Sequence, residues 1–150
     1  MAAVAALLAL AMAAPAPGAP DRGGETATGS GVTGTRVILR GSPYGPMLWA
    51  RGPQALYFFS RDRGGIPACY GKCAREWPPL LTRGRPRAGP GVRQRLLGTV
   101  RRRNGARQVT YAGKPLYKYA HEGRGQVLCH DIALNGGRWW ALGPNGRRRP

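Results

Sequence analysis

The chain has 150 residues, and its 24 Lys and Arg against six Asp and Glu give a net charge of +18. That length holds one small domain. A balance this basic excludes cationic partners and favours polyanions such as nucleic acid, anionic lipid head groups or acidic envelope polymers. Ala, Gly, Pro and Arg are abundant together, a pattern that GC-rich coding also produces, so charge alone does not separate a selected surface from codon bias.

In chain order, residues 1–16 are an apolar run with Leu7, Leu8 and Leu10 among alanines and small residues at its end. This reads as a signal peptide, too short for a membrane-spanning helix of about 20 apolar residues. Residues 17–34 read as a flexible Gly/Thr/Ser linker. The folded region is expected over 35–146, followed by a basic tail at 147–150. With export but no cysteine near the cleavage zone, N-terminal lipidation is not expected. The first cysteine is Cys69.

Within 35–146 the pattern predicts short strands joined by tight turns, and no helix. Strands are expected at Arg36–Leu39, Met47–Trp49 and Ala55–Phe59. A hairpin is expected around Asn104-Gly105, a dipeptide suited to a two-residue type I′ turn. That turn would pair Arg102 with Arg107, Val100 with Val109 and Gly98 with Tyr111. Further strands are expected at Leu116–Tyr119 and Arg138–Leu142. The four tryptophans and the aromatic pairs should supply the core.

Two stretches look like copies. Leu56-Tyr57-Phe58-Phe59-Ser60-Arg61-Asp62 returns as Leu116-Tyr117-Lys118-Tyr119-Ala120-His121-Glu122, at an offset of 117 − 57 = 60 residues. Gly65 and Gly125, and Cys69 and Cys129, keep the same offset. The expected fold is therefore all-β, a small domain of two related antiparallel β-hairpin units. Tyr57 with Phe59, and Tyr117 with Tyr119, fall at i and i+2 on one strand face and read as core pairs. Asp62 and Glu122 follow where each strand should end, and carboxylates there cap turns by accepting backbone N–H bonds. Glu122, one methylene longer, is expected to cap less well.

Three cysteines in an exported chain imply one disulfide and one leftover thiol, with all three pairings open. The alternative is a metal or redox accessory role for the cysteines, with copper or zinc held by Cys69, Cys73, Cys129 and His130. The further His or Met ligands of known copper sites are not found at the right spacings. No catalytic motif is present, and His121 and Glu122, adjacent on a strand, point to opposite faces. The candidate anion-binding residues are Arg101, Arg102, Arg103, Arg107, Arg147, Arg148 and Arg149. Export removes most nucleic acid from reach, which leaves anionic envelope polymers or lipid head groups as the expected partners. No cofactor is expected.

The repeated Tyr motif, together with Cys69-Tyr70-Gly71-Lys72-Cys73-Ala74-Arg75-Glu76-Trp77-Pro78-Pro79-Leu80, Gln108 to Tyr117 and the Gly136-Gly137-Arg138-Trp139 to Gly146 ending, carries a resemblance. The chain resembles the bacterial secreted-repeat family of predicted lipoproteins with a Y-x-(F/W/Y)-x-x-D motif. That family has no established biochemical activity. The resemblance implies a secreted, envelope-associated domain of unknown activity, and it brings Cys69 and Cys73 together as the disulfide, leaving Cys129 free; for want of an acid–base constellation the chain is expected to be non-enzymatic.

Overall fold

The computed structural model describes residues 33–150. The expected signal peptide and nearly all of the expected linker lie outside them. The described chain is built of short strands in three sheets with one turn of α-helix.

In the first sheet, β1 (Arg36–Arg40) pairs antiparallel with β2 (Met47–Ala50), β3 (Gln54–Ala55) adds to β2, and β5 (Arg87–Ala88) lies parallel to β1. The second sheet sets β10 (Gly137–Ala141) between β4 (Tyr57–Phe59) and β9 (Ile132–Leu134). The third runs β6 (Leu97–Arg101), β7 (Arg107–Tyr111), β8 (Lys114–Pro115). Strand β5 and strand β9 carry too little apolar alternation to stand out in the sequence. The expected strand at Leu116–Tyr119 shrinks to bridges from Tyr117 to Tyr57 and to Pro79.

The hairpin of β6 and β7 differs from the expected register by one residue. Arg101 faces Arg107 and Val100 faces Gln108. The cause is the loop: Arg102 N–H donates to Ala106 O, and Gly105 N–H closes a turn onto Arg102 O, with Gly105 at φ +81°. A three-residue loop ending in a left-handed glycine, and not a two-residue turn, sets the register. Since side chains alternate, the step puts Thr99 and Arg101, and not Val100 and Arg102, on the Val109–Tyr111 face, and leaves Arg102 on the Gln108 side. The two-residue turn with positive φ at both positions occurs instead at Asn135 (φ +54°) and Gly136 (φ +75°), linking β9 to β10.

A short helix, α1 (Lys72–Glu76), was not anticipated. It begins after Gly71 at φ +56° and lies across the Cys69–Cys73 disulfide. Five residues are too few for a helical period to show in sequence, and so short a helix depends on its surroundings to form.

The core is an aromatic stack. Trp77 and Trp139 are fully buried with ring centroids 3.8 Å apart and planes 3° apart. Phe59 stacks on the outer face of Trp139 at 4.1 Å, and Tyr119 lies against Trp77 at 4.7 Å. Tyr57 meets Trp77 edge-on at 5.5 Å, and Tyr117 meets Trp139 edge-on at 5.2 Å. The edge-to-face contacts of Tyr57 and Tyr117 stabilise beyond area burial, by roughly 0.5–1.5 kcal/mol each. Trp49 is buried as expected, but Trp140 is not a core residue. It faces outward with Phe58, centroids 5.3 Å apart. It follows Trp139 on β10, and alternation turns neighbours to opposite faces.

The strands around this stack interlock. Tyr57 and Tyr117 exchange both backbone hydrogen bonds at 2.9 Å. Trp139 sits on a strand paired to the Tyr57 segment, while the chain just after Trp77 pairs with the Tyr117 segment through Lys118 N–H to Pro78 O and Leu80 N–H to Leu116 O.

Candidate functional site

The motif residues converge inside the molecule. Tyr57 is fully buried and its hydroxyl donates to Glu122 Oε1 at 2.5 Å, and the same oxygen accepts Leu128 N–H at 2.6 Å. Asp62 Oδ1 accepts Ala68 N–H at 2.7 Å, six residues on as in the other segment. Glu122 therefore caps its turn as Asp62 does, against the expectation that its length would hinder it. The longer side chain also reaches a tyrosine. Asp62 lies opposite Tyr117, yet its Oδ2 and the Tyr117 hydroxyl are buried without completing a hydrogen bond. Burial pushes the Asp62 carboxyl up to about 6, opposed by the Ala68 N–H, Tyr117 and Arg102. Burial likewise raises Glu122, and raises Tyr57 far above the usual phenol range with help from the neighbouring Glu122.

The cysteines divide. Cys69 and Cys73 form a disulfide with Cα atoms 5.3 Å apart. Cys129 is a buried free thiol, pushed by burial and by Glu122 up to about 11. His130 points elsewhere, its Nε2 at 3.1 Å from Pro150 O and its Nδ1 accepting Ala141 N–H. The disulfide takes two of the four expected metal ligands. Among the described residues no three His, Cys, Asp or Glu side chains gather as a metal site. His121 packs edge-on to Tyr119.

The expected anion-binding arginines do not act as one cluster. Arg102 is buried; its guanidinium donates to Gln108 Oε1 at 2.5 Å and to Cys69 O at 2.6 Å, and lies over the Tyr70 ring at 4.3 Å. It is an internal strut between the β6–β7 loop and the disulfide loop. Arg103 covers the same ring at 4.6 Å from the exposed side. Arg101 and Arg107 are exposed cross-strand neighbours. The expected basic tail is bound into the fold: Arg149 N–H donates to Ala141 O and its Nε to Tyr44 O, and Arg148 lies over Trp140 at 5.4 Å.

Cavities open on this surface. One of about 610 Å³ is bordered by Arg36, Arg51 and Arg87, and another of about 460 Å³ by Arg83 and Arg107. Thr33 and Thr35 border both. A third, about 620 Å³, lies beside Trp140, Arg138 and the Asn135-Gly136 turn. Of these arginines only Arg107 was foreseen. Arg36, Arg51, Arg83 and Arg87 are scattered singly in sequence, and only the parallel pairing of β1 with β5 and the docking of residues 33–35 bring them together.

Fold and surface thus define a small disulfide-stapled, all-β, strongly cationic module. Residues 41–81 match a protein family described as a secreted repeat of unknown function. No curated protein and no solved structure matches the chain. Among the described residues no helix is long and apolar enough to cross a membrane.

Proposed function

We propose that the chain is an exported, non-enzymatic binding module of the cell envelope whose cationic surface engages anionic polymers or lipid head groups. The charge distribution carries this reading. Residues 33–150 hold 23 Lys and Arg (24 less Arg22) and four acids (six less Asp21 and Glu25). Asp62 and Glu122 turn inward, and Glu76 accepts a hydrogen bond from Asn135. Asp131 meets Arg138 at 2.6 Å, the one salt bridge among the described residues. The surface cations are left with almost no internal counter-charge, and a field of that kind attracts polyanions.

The reading includes a duplication. Positions 60 to 62 residues apart make like contacts: Tyr57–Trp77 with Tyr117–Trp139, Asp62–Ala68 with Glu122–Leu128, and Leu48 N–H to Leu142 O with Val109 N–H to Leu80 O. Two copies of one unit, each giving its tryptophan strand to the other, account for that pattern. The shared positions build the core, leaving the surface free to diverge.

Binding of the oxidised protein to heparin, used as a soluble polyanion, over a salt series tests the reading. Affinity should fall linearly in log–log form as counterions are released. Absence of binding at about 50 mM salt, or binding indifferent to salt up to about 1 M, refutes it.

A further inference from the structure

We infer that the two arginine-bordered cavities on either side of Thr35 form one tract that binds an extended phosphate-bearing polymer. The inference rests on the polyanion reading above and gives it a place and a chemistry.

The argument begins with a cost. Arg36 and Arg87 are register partners across β1 and β5, so the sheet itself sets two guanidinium side chains next to each other. Like charges at directly facing sheet positions destabilise. Arg51, from the turn after β2, borders the same cavity, and no carboxylate lines it. Across the Thr33–Thr35 ribbon the pattern returns: Arg83 and Arg107 border the second cavity, again without a carboxylate, and Arg107 has Arg101 as its register partner. Arg36, Arg51, Arg83, Arg87, Arg101 and Arg107 are all exposed, and none has a carboxylate partner among the described residues. Neither arrangement gives the fold an internal ion pair.

The ribbon between the cavities holds the cations in place. Thr35 N–H donates to Thr82 Oγ1 at 3.0 Å, Thr35 Oγ1 donates to Leu81 O at 2.7 Å, and Thr35 O accepts Arg87 N–H at 3.0 Å. Gly34 is pressed so close to the Arg85 backbone that a Cβ there would stand 1.7 Å from Arg85 O. The backbone therefore cannot shift to spread the charges, and the fixed ribbon holds the strands from which Arg36 and Arg87 project.

The geometry favours phosphate over carboxylate. A phosphate chain carries a negative charge on every closely spaced unit, whereas a uronate polymer carries one per sugar ring, so the phosphate chain better matches arginines set on neighbouring strands about 4.8 Å apart. Here they come from β1, from β5 and from the turn after β2. Two such cavities side by side suit a chain of phosphates better than a single ion.

The test uses the full oxidised protein and long-chain inorganic polyphosphate, with polygalacturonate as the carboxylate counterpart. The triple variant R36Q/R51Q/R87Q should weaken polyphosphate binding about tenfold or more near 100 mM salt and flatten the salt slope by about two contacts. The control R147Q/R148Q, which also removes exposed charge, should stay within about threefold. Without ligand, R87Q should raise the melting midpoint by a degree or more, because it relieves a like-charge pair. Equal losses in both variants per charge removed would overturn the tract while leaving a general cationic surface standing. Polygalacturonate bound as tightly as polyphosphate would overturn the phosphate assignment. Failure of the unmodified protein to bind either polymer would remove the tract and the polyanion reading together. A lower midpoint for R87Q would refute the repulsion on which the argument begins.

Discussion

The Tyr57–Glu122 contact is the interaction most open to a quantitative trial. Glu122 is 7% exposed, and one of its oxygens accepts both the Tyr57 hydroxyl and the Leu128 N–H. A hydrogen bond to a charged group contributes about 1.5–3 kcal/mol, and a buried donor left without a partner costs about 1–3 kcal/mol. Glu122→Ala strands two donors at once and should cost about 2–6 kcal/mol. Tyr57→Phe removes one donor and leaves the carboxylate its backbone partner, so it should cost about 1.5–3 kcal/mol. Glu122→Asp shortens the arm to that of Asp62, which does not complete a bond to its facing tyrosine, and should match Tyr57→Phe within about 0.5 kcal/mol. The double variant Tyr57→Phe/Glu122→Ala should then be less damaging than the sum, with a coupling of about 1.5–3 kcal/mol. Urea unfolding followed by tryptophan fluorescence, with the disulfide intact, gives all four values. Additivity within about 0.3 kcal/mol would mean the contact contributes nothing specific, and the account of the motif as a crossed tyrosine–carboxylate cap would fail.

Asp62 should make stability depend on pH. Its folded carboxyl lies at about 6 against a usual value of 3.8. A raised acid binds its proton more tightly when folded, so its contribution is full below about pH 4 and is lost as pH rises through about 6. The upper bound is about 3 kcal/mol, reduced because the side chain keeps some solvent contact. Asp62→Asn retains an oxygen for Ala68 N–H and removes the titration, so its stability should gain on the parent protein between pH 4 and 8; parallel urea curves at the two pH values would refute this. Cys129, buried with a thiol near 11, should resist alkylation at pH 8 in the native state and react once per chain in urea, as mass spectrometry would show. Rapid native labelling would place that thiol at the surface. Replacing Cys69 and Cys73 by Ser should cost about 2 kcal/mol, the loop-closure value for so small a ring, measured against the same urea curves; no change would make the bridge energetically idle.

What the sequence disclosed follows from the range of each signal. The i, i+2 aromatics and the spaced carboxylates are local signals, and they occupy the positions their alternation requires. The Asn104-Gly105 hairpin was visible, but its register was not. Asn-Gly is compatible with two loops that differ by one residue, and only the packing of Arg102 against Gln108 and Cys69 favours one of them. Glu122 was misjudged because capping was weighed from its own turn alone, when a tyrosine 65 residues away completes the site. Arg36, Arg51, Arg83 and Arg87 were invisible as a group, since runs such as Arg101-Arg102-Arg103 draw attention and isolated arginines do not. The run supplied one buried strut, while the scattered residues border the cavities.

On the duplication reading, core and surface obey different constraints. Val37 faces Ala50 on β1 and β2, and Leu97 faces Tyr111 on β6 and β7, so the proposed duplication would align the first hairpin with the second at offsets of 60 and 61. Arg36 then corresponds to Leu96 and Arg51 to Ala112. Of the positions that border the tract, 36 and 51 are apolar in the other half, where Leu96 packs on the core and Ala112 occupies a left-handed turn, while Arg87 corresponds to the basic run Arg147–Arg149. Interlocked copies require only that the stacked aromatics and their caps be kept, because each half completes the other's sheet. Nothing in that requirement asks for arginine at 36 or 51. Lys and Arg are shared evenly between the halves, 11 over residues 33–94 and 12 over residues 95–150, so the tract rests on where Arg36 and Arg51 sit and not on an excess of cations in one half.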